Sequence, residues 1–540
     1  MPVPMHLWFA RRVPSAADQP ALRIGQVTRT YAELHEIASR WAWWLRSSCY
    51  EQPARVALMT EKNETRYLGF LSALYAGATV VPVNPRWPAA RISRVLDAAS
   101  VGTLIVDSHH VGWPARSGSM GRRPRTFGPA EQRRAAAASR SYMADECSPD
   151  DLAYIIFTSG SSGEPKGVPI SHGNASAFFA AIGARYDIGP GDVFSQVSEI
   201  SFDLSIFEIF GAWSFGACVC PVSMLQAAVP ARCVDEWGIT VWTSTPSLAT
   251  MICNRDGLPA DSLSRLSHLV FCGEPLPVRT ARRWMAAASS AYLDNLYGPT
   301  EATVACTGSL LAPGGSFGDF ADTDTVPIGS PFPGMECMVE PGDGQAGVPG
   351  ELCLAGPQVF RGYLDPSSDA QRFITAAGRR WYRTGDQVRS VQEHGLIHLG
   401  RVDDQVKVNG YRIELAEVER SLERCVPGAS CGSVVIRAPG QPAVLAAFVT
   451  ETSEGGLTLR SRLARDLPTY MLPTYIWPIS QLPLNQNGKV DRAALRERGR
   501  QLLGHSKELF GRLRLAPAGA QPYRSASWTV HLLDCLETVP

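Results

Sequence analysis

A short apolar run, Tyr154-Ile-Ile-Phe157, that empties into Thr158-Ser-Gly-Ser-Ser-Gly-Glu-Pro-Lys166 constrains this chain more than any other feature. The apolar run reads as a buried strand, and Thr158–Lys166 reads as a loop. Gly160 and Gly163 let successive backbone N–H groups turn toward one point, and the hydroxyls of Thr158, Ser159, Ser161 and Ser162 add donors. Lys166 supplies a mobile positive charge, so the assembly suits a polyphosphate. A merely flexible Ser/Gly loop is the competing reading, and it requires neither the lysine nor the strand. A Walker loop is excluded, because Gly167 stands where that motif needs Ser or Thr for magnesium.

Through most of the first 330 residues, short β-branched runs alternate with helical apolar spacing. Arg55–Met59, Val101–Val106, Ile239–Thr243 and His268–Cys272 read as strands; Tyr31–Leu45 and Glu64–Tyr75 read as helices. The alternation predicts an α/β fold with largely parallel sheets. His109–Ser148 is rich in Arg, Ser, Ala and Gly and reads as an exposed insertion with helix over Glu131–Ser139, its arginines a solvated face. From Ile328 to Leu399, Gly/Pro-punctuated short strands predict a β-rich subdomain. After Gly400 a second alternating stretch ends near Leu495, and beyond it the chain is poorly patterned, with Trp528–Leu536 readable as strand or helix.

With 51 basic residues against 51 acidic ones, net charge gives no reason to expect nucleic acid or an anionic membrane as partner. No stretch approaches the roughly 20 apolar residues of a membrane span. The N-terminus, Met-Pro-Val-Pro-Met-His, lacks a basic region followed by an apolar core, which argues against secretion. The 13 cysteines show neither zinc spacing nor a disulfide framework and read as reduced core residues of a cytoplasmic protein.

Further strings come after the loop in a fixed order. They are Phe202-Asp-Leu-Ser-Ile-Phe-Glu208, Asn295-Leu-Tyr-Gly-Pro-Thr-Glu-Ala302, Gly350-Glu-Leu-Cys-Leu-Ala-Gly356, Tyr382-Arg-Thr-Gly-Asp386, Gly400-Arg-Val-Asp-Asp-Gln-Val-Lys-Val-Asn-Gly-Tyr-Arg-Ile-Glu414 and Leu484-Asn-Gln-Asn-Gly-Lys-Val-Asp-Arg492. Tyr31–Leu34 and Ala76–Pro85 precede it. The set closely resembles the adenylate-forming enzymes, and within them the adenylation domains of nonribosomal peptide synthetases, over about residues 10–495. The resemblance implies a large N-terminal core over residues 1–400, of two parallel-type α/β sheets with a distorted β-barrel subdomain, a small mobile α+β domain over 401–495, and a tail over 496–540.

The reaction implied is attack of a carboxylate on the α-phosphorus of ATP, giving an acyl-adenylate and pyrophosphate. Two anions must approach, so catalysis rests on positioning and on neutralising charge. By resemblance, Thr158, Ser159, Gly160, Ser161, Ser162, Gly163 and Lys166 hold the leaving phosphates. Tyr297 stacks on adenine with Asn295, Gly298 and the Gly273 backbone nearby. Thr300 touches the α-phosphate, Glu301 coordinates Mg²⁺ as a hard oxygen ligand, Asp386 accepts the ribose hydroxyls and Arg401 contacts the same region. Asp403 matches the family hinge, Gly410 the loop presented for thioester formation, and Lys489 the lysine that bridges carboxylate and forming adenylate. Alone, a lysine after Asn-Gly is simply solvated, and Asp386 a loop cap. Asp404 departs from the synthetase pattern, which shows Asn or another polar residue there.

Asp203 decides the substrate class. In amino-acid-activating members an aspartate at this place pairs with the α-ammonium; the alternative is a helix N-cap. The remaining walls would be Leu204, Phe207, Thr243, Val270, Cys272, Leu296, Val304 and Ala305 with Lys489, which implies a small or medium uncharged amino acid. Leu503-Gly-His-Ser506 is only a faint likeness of a carrier attachment motif, so the expected acceptor is the phosphopantetheine of a separate carrier protein, with an MbtH-like activator as a further partner. The rivals are an acyl- or aryl-CoA ligase, against which Asp203 argues, and a non-catalytic nucleotide-binding relative, against which Lys166, Glu301, Asp386 and Lys489 argue.

Overall fold

The computed structural model describes residues 2–48, 54–113, 123–144, 147–160, 163–255, 258–315, 324–340, 347–391, 394–437, 443–452, 454–485 and 489–513. The chain packs as two compact units, one of Met1–Ser159 with Pro165–Arg412, the other of Gly160–Glu164 with the chain from Ile413 on. A two-stranded hairpin, Gln405–Val408 with Tyr411–Glu414, runs through the division.

In the first unit, the alternating pattern resolves into two mostly parallel sheets. Six strands run in the order Arg125–Phe127, Thr103–Val106, Arg55–Met59, Thr79–Pro82, Leu152–Thr158 and Lys166–Ser171, all parallel but the last pair. That last antiparallel strand begins at Lys166, so the serine-glycine loop is the connection of a hairpin. Nine strands form the second sheet, from Ser330–Pro331 through Thr307–Leu311, Tyr292–Tyr297, His268–Cys272, Val241–Ser244, Val193–Gln196, Cys218–Pro221 and Pro20–Ile24 to Val27–Thr30. Its centre is parallel and its edge pairs antiparallel. Parallel strands buried on both faces need apolar residues at every position, which explains runs such as His268-Leu-Val-Phe-Cys272, buried throughout. The helices Tyr31–Ser48 and Glu64–Tyr75 stand where periodicity places them.

Where Gly/Pro-punctuated strands were expected, five strands form an antiparallel sheet: Glu336–Glu340, Gly350–Ala355, Phe373–Ala376, Arg379–Val391 and Gly395–Arg401. The second unit is built on Cys431–Ile436, Val444–Val449 and Tyr475–Pro478, with helices Leu415–Cys425, Gly456–Leu463 and Arg492–Leu513. Its core is Val434, Ile436, Ala446, Phe448, Ile479, Leu482 and Leu495.

One expectation fails. The later part of His109–Ser148 is not a solvated insertion. Arg125–Phe127 is an edge strand, followed by a helix over Pro129–Ala136 instead of Glu131–Ser139. Phe127 is fully buried, its ring 5.2 Å from Trp41 and 4.6 Å from Trp44. Gln132 donates to the carbonyls of Val106 (2.8 Å) and Phe127 (3.0 Å), tying the helix to the sheet. Its arginines do face water as expected, Arg125, Arg133, Arg134 and Arg140 among them. The segment Trp528–Leu536 and the side chains of Gly504-His-Ser506 lie outside the described residues.

The nine-stranded and five-stranded sheets meet at three glycines. A Cβ on Gly329 would stand 2.0 Å from the Gly308 carbonyl oxygen, and one on Gly395 would stand 2.4 Å from the Gly329 oxygen. Gly395 also has φ +73°, left-handed backbone that only glycine adopts without strain. Gly395→Ala should therefore lower stability by about 2–4 kcal/mol, overpacking and backbone strain together. Gly25→Ala is the control: φ is +54° but nothing lies within 4 Å, so urea unfolding should show a loss of about 1 kcal/mol.

Candidate functional site

The C-terminal ends of the central parallel strands point their residues toward one region, the usual place for a ligand in an open α/β sheet. Tyr292–Tyr297 ends there and passes into Gly298-Pro299 and a single 3₁₀ turn, Thr300–Ala302. Gly298 is obligatory: a Cβ would lie 2.6 Å from Ala305 Cα and 2.9 Å from the Val304 oxygen. Beyond the turn, Thr303 and Val304 have φ of +58° and +69°. A left-handed β-branched pair is strained and persists only if clamped. Gln358, wholly buried, supplies the clamp, accepting from Thr303 Oγ1 on its backbone carbonyl (2.7 Å) and donating from Nε2 to the Ala305 carbonyl (2.6 Å).

Asp386 is the best-held acid. Tyr297 Oη donates to Oδ2 at 2.6 Å, Arg401 Nη1 to Oδ1 at 2.9 Å, and His398 Nε2 lies 3.1 Å from Oδ1. Burial alone would raise its pKa, but the His398 hydrogen bond and the Arg401 charge outweigh it and hold the carboxyl well below the usual range. Lys407 Nζ sits 5.5 Å from the centre of the Tyr297 ring. Arg401 continues through Nε and Nη2 to both oxygens of Asp403, at 2.7 and 2.8 Å.

Glu301, also buried, accepts from Tyr363 Oη at 2.5 Å and from Arg412 Nη1 at 3.0 and 2.9 Å. Burial again opposes ionisation, and the Arg412 charge and the Tyr363 hydroxyl overcome it, so its pKa is lowered. Lys166 Nζ lies 5.7 Å from the Tyr363 ring centre, over the aromatic ring whose hydroxyl bonds Glu301. Ser159 Oγ donates to the Arg412 carbonyl at 2.8 Å. Thr158 closes the strand Leu152–Thr158, Gly160 accepts from the Gly163 N–H at 2.9 Å, and Ser161 and Ser162 lie outside the described residues.

Asp203 precedes a helix that is α over Leu204–Ile206, widens to a π turn over Phe207–Gly211 and resumes as α over Ala212–Phe215. Its side chain makes no capping bond to that helix. Burial pushes its pKa up to about 6, against a Thr300 hydrogen bond and the Lys407 charge. The helix is anchored by Glu208, fully buried, which accepts from Gln196 Nε2 (2.9 Å), Ser198 N–H (3.0 Å) and Ser198 Oγ (3.0 Å). Lys62 helps to neutralise it and donates to the carbonyls of Gln196, Val197 and Val222.

Of the expected pocket walls, Leu204, Phe207, Val270, Cys272, Leu296, Val304 and Ala305 are buried in the large core of the first unit, and Thr243 is in register with Val270. Gly273 (φ +101°) and Gly410 (φ +82°) both approach Thr245, the latter so closely that a Cβ would meet Thr245 Cγ2 at 2.5 Å. Asn295 spends its amide nitrogen on the carbonyls of Val326 (3.1 Å) and Pro327 (2.9 Å), leaving Oδ1 with no partner among the described residues. Lys489 belongs to the second unit, where it is exposed and its backbone closes on Asn485 through bonds of 3.1 and 2.7 Å.

Five participants were not singled out from sequence. Lys407 and Arg412 lie inside a quoted string and could have been found as cations facing two acids. His398, Tyr363 and Gln358 carry no such signal.

The family model of AMP-binding enzymes matches residues 9–364. The AMB antimetabolite synthetase AmbB of Pseudomonas aeruginosa is 34% identical over 496 residues, 90% of this chain and 38% of that protein. Among solved structures, the Vibrio cholerae adenylation domain AlmE in complex with glycyl-adenosine-5'-phosphate is 27% identical, with TM-score 0.80 over 92% of this chain and 98% of that one. NpsA-ThdA, an artificially fused adenylation–PCP di-domain from Klebsiella oxytoca, is 26% identical, with TM-score 0.75 over 88% and 93%. The chain spans only 10–38% of the length of the first curated relatives it matches.

Glu301 and Arg412 give a direct test of this geometry. Removing one partner strands a buried charge, so Arg412→Met should lower stability by about 3–5 kcal/mol. Arg412→Met with Glu301→Gln should recover most of that loss in urea unfolding.

Proposed function

The chain belongs to the AMP-binding enzymes as an adenylate-forming ligase of the nonribosomal peptide synthetase type, and we propose that it activates a small or medium uncharged amino acid. The carboxylate oxygen of that amino acid attacks the α-phosphorus of ATP. The bond from the α-phosphorus to the bridging oxygen breaks, and pyrophosphate leaves with the electron pair. The aminoacyl group then passes to the phosphopantetheine thiol of a carrier protein, releasing AMP; the adenylation–PCP fusion from Klebsiella oxytoca supports that choice of acceptor.

The observation that carries the reading is the state of Asp203. It is a buried acid beside Thr300, with Lys407 and Glu301 as charged neighbours and apolar core residues adjoining it in the chain. A substrate ammonium answers that negative charge; a plain carboxylic acid would add to it. Asp386 suits a pair of ribose hydroxyls, and Tyr297, fixed by it, an adenine face. The phosphates fall to Thr158, Ser159, Gly160, Gly163 and Lys166, and Thr300 to the α-phosphate. Glu301 is ionised and offers hard oxygens, which fits Mg²⁺ provided that Arg412 gives way. When bound, Mg²⁺ supplies charge neutralisation of the triphosphate. To Lys489 we assign the adenylating half-reaction, and to Asp403 and Gly410 the change to the thioester-forming one.

ATP–pyrophosphate exchange across the common amino acids, with aryl and fatty acids alongside, tests the reading. Exchange should appear with an uncharged amino acid and be abolished in Asp203→Ala and Lys489→Ala. Exchange only with acids that lack an amine would sink it in favour of a CoA ligase. Lys489→Ala should leave thioester formation from supplied aminoacyl-adenylate far less affected.

Asp203 also makes the protein pH-dependent. Its folded pKa of about 6 lies above the ordinary value of 3.8, so the folded chain keeps a proton that the unfolded chain has lost. Stability of the ligand-free protein therefore falls as pH rises from about 4 to 6 and stays at the lower level above. Asp203→Asn should be more stable than the parent above pH 6, by on the order of 2–3 kcal/mol, with the difference gone below about pH 4. For the parent, KM for the amino acid should rise as pH falls through about 6, where the carboxylate is lost.

A further inference from the structure

One cation of the six-stranded sheet is spent on the nine-stranded one. Lys62 lies in the connection between the strand Arg55–Met59 and the helix Glu64–Tyr75. Its Nζ donates to the carbonyls of Gln196 (3.2 Å), Val197 and Val222 (3.1 Å). These three stand at, or one residue beyond, the C-terminal ends of the neighbouring parallel strands Val193–Gln196 and Cys218–Pro221. Three acceptors around one nitrogen use all three protons of an ammonium.

Glu208 holds the same turn from its other side. It accepts from the N–H groups of Val197 (3.3 Å) and Ser198 (3.0 Å), from Ser198 Oγ (3.0 Å) and from Gln196 Nε2 (2.9 Å). Lys62 therefore takes carbonyls of the turn and Glu208 its N–H groups, with opposite charges that balance. Two residues of the helix that follows Lys62 add to the grip. Tyr67 Oη donates to Gln196 Oε1 at 2.9 Å, and Arg66 Nη2 lies 3.6 Å from Glu199. The bonds from Ser198 to Glu208 close the base of a loop, and Asp203 stands midway along it, five positions from each end.

We propose that Lys62 is a positioning residue for the amino acid: by fixing residues 196–198 against Glu208, it sets where Asp203 meets the substrate ammonium. This rests on the reading of Asp203 as the partner of that ammonium. It also gives the six-stranded sheet a part in substrate choice, since Lys62, Arg66 and Tyr67 all reach across from it. A loop whose base is loosened carries its midpoint with it, and a misplacement of about 1 Å can cost up to about 100-fold in rate.

Pyrophosphate exchange by the full chain tests this. In Lys62→Met, KM for the amino acid should rise about ten- to 100-fold while KM for ATP changes less than about twofold. Preference for the amino acid over the same acid without its amine should fall by a similar factor. Lys62→Arg, which keeps the charge and enough donors, should stay within about fivefold of the parent. Lys62→Met with Glu208→Gln leaves no charge stranded, should show the same split, and carries the test if Lys62→Met alone does not fold. Both KM values rising together, exchange lost even at saturating amino acid, or no change at all overturns the proposal and leaves amino-acid activation standing. Loss of the folded state in both Met variants, read by circular dichroism, overturns it too, since Lys62 then serves folding alone. Absence of exchange by the parent with every amino acid overturns both readings.

Discussion

The carboxylate of Asp386 is the interaction on which the arrangement of the first unit turns. It lies on the five-stranded sheet yet takes its shortest bond from Tyr297, the last residue of a strand in the nine-stranded sheet. The three-glycine contact brings the two sheets close enough for this, since a single methyl at Gly329 or Gly395 would push them apart. Close backbone packing and one charge-assisted hydrogen bond thus fix the same geometry by independent means. His398 and Arg401, both on Gly395–Arg401, then hold the other oxygen. Held well below the usual carboxylate range despite burial, Asp386 stands as a charged acceptor at neutral pH.

Three buried acids, Asp203, Glu301 and Asp386, would be intolerable in one region without cations. Much of the balancing charge comes from one short stretch, Arg401 through Arg412, with Arg401, Lys407 and Arg412 facing the acids. This stretch stays with the first unit because Tyr411 packs against Phe202 at 4.6 Å and Arg412 pairs with Glu301. Both contacts fall on residues beside proposed substrate or metal ligands. Movement of the hairpin would uncover Glu301 and alter the charge next to Asp203 together, so position and electrostatics are coupled.

What could be read from sequence depends on how local the information is. The strands His268–Cys272 and Arg55–Met59 carry their own apolar pattern, and the helix Glu64–Tyr75 its own periodicity. Glu301 and Asp386 sit in strings whose turn residues are themselves informative. Their partners are not local: Glu301 meets Arg412 across 111 positions, and Tyr297 meets Asp386 across 89. Nothing in Leu396-Ile-His-Leu399 distinguishes His398 from an ordinary strand residue. The same limit explains the misreading of the segment around Phe127. A three-residue strand is too short to show alternation, and one aromatic ring between two tryptophans outweighs the many exposed arginines around it.

Strain at Thr303 and Val304 is held in by the fold around it. Two adjacent left-handed residues would relax if released, and relaxation would carry Val304 and Ala305 with them. Gln358 prevents this from the far side, since its own carbonyl and amide satisfy the turn and are buried with it. A backbone held this way cannot reshape itself around what packs against it, so the strain and its clamp together fix where Val304 and Ala305 stand in the core.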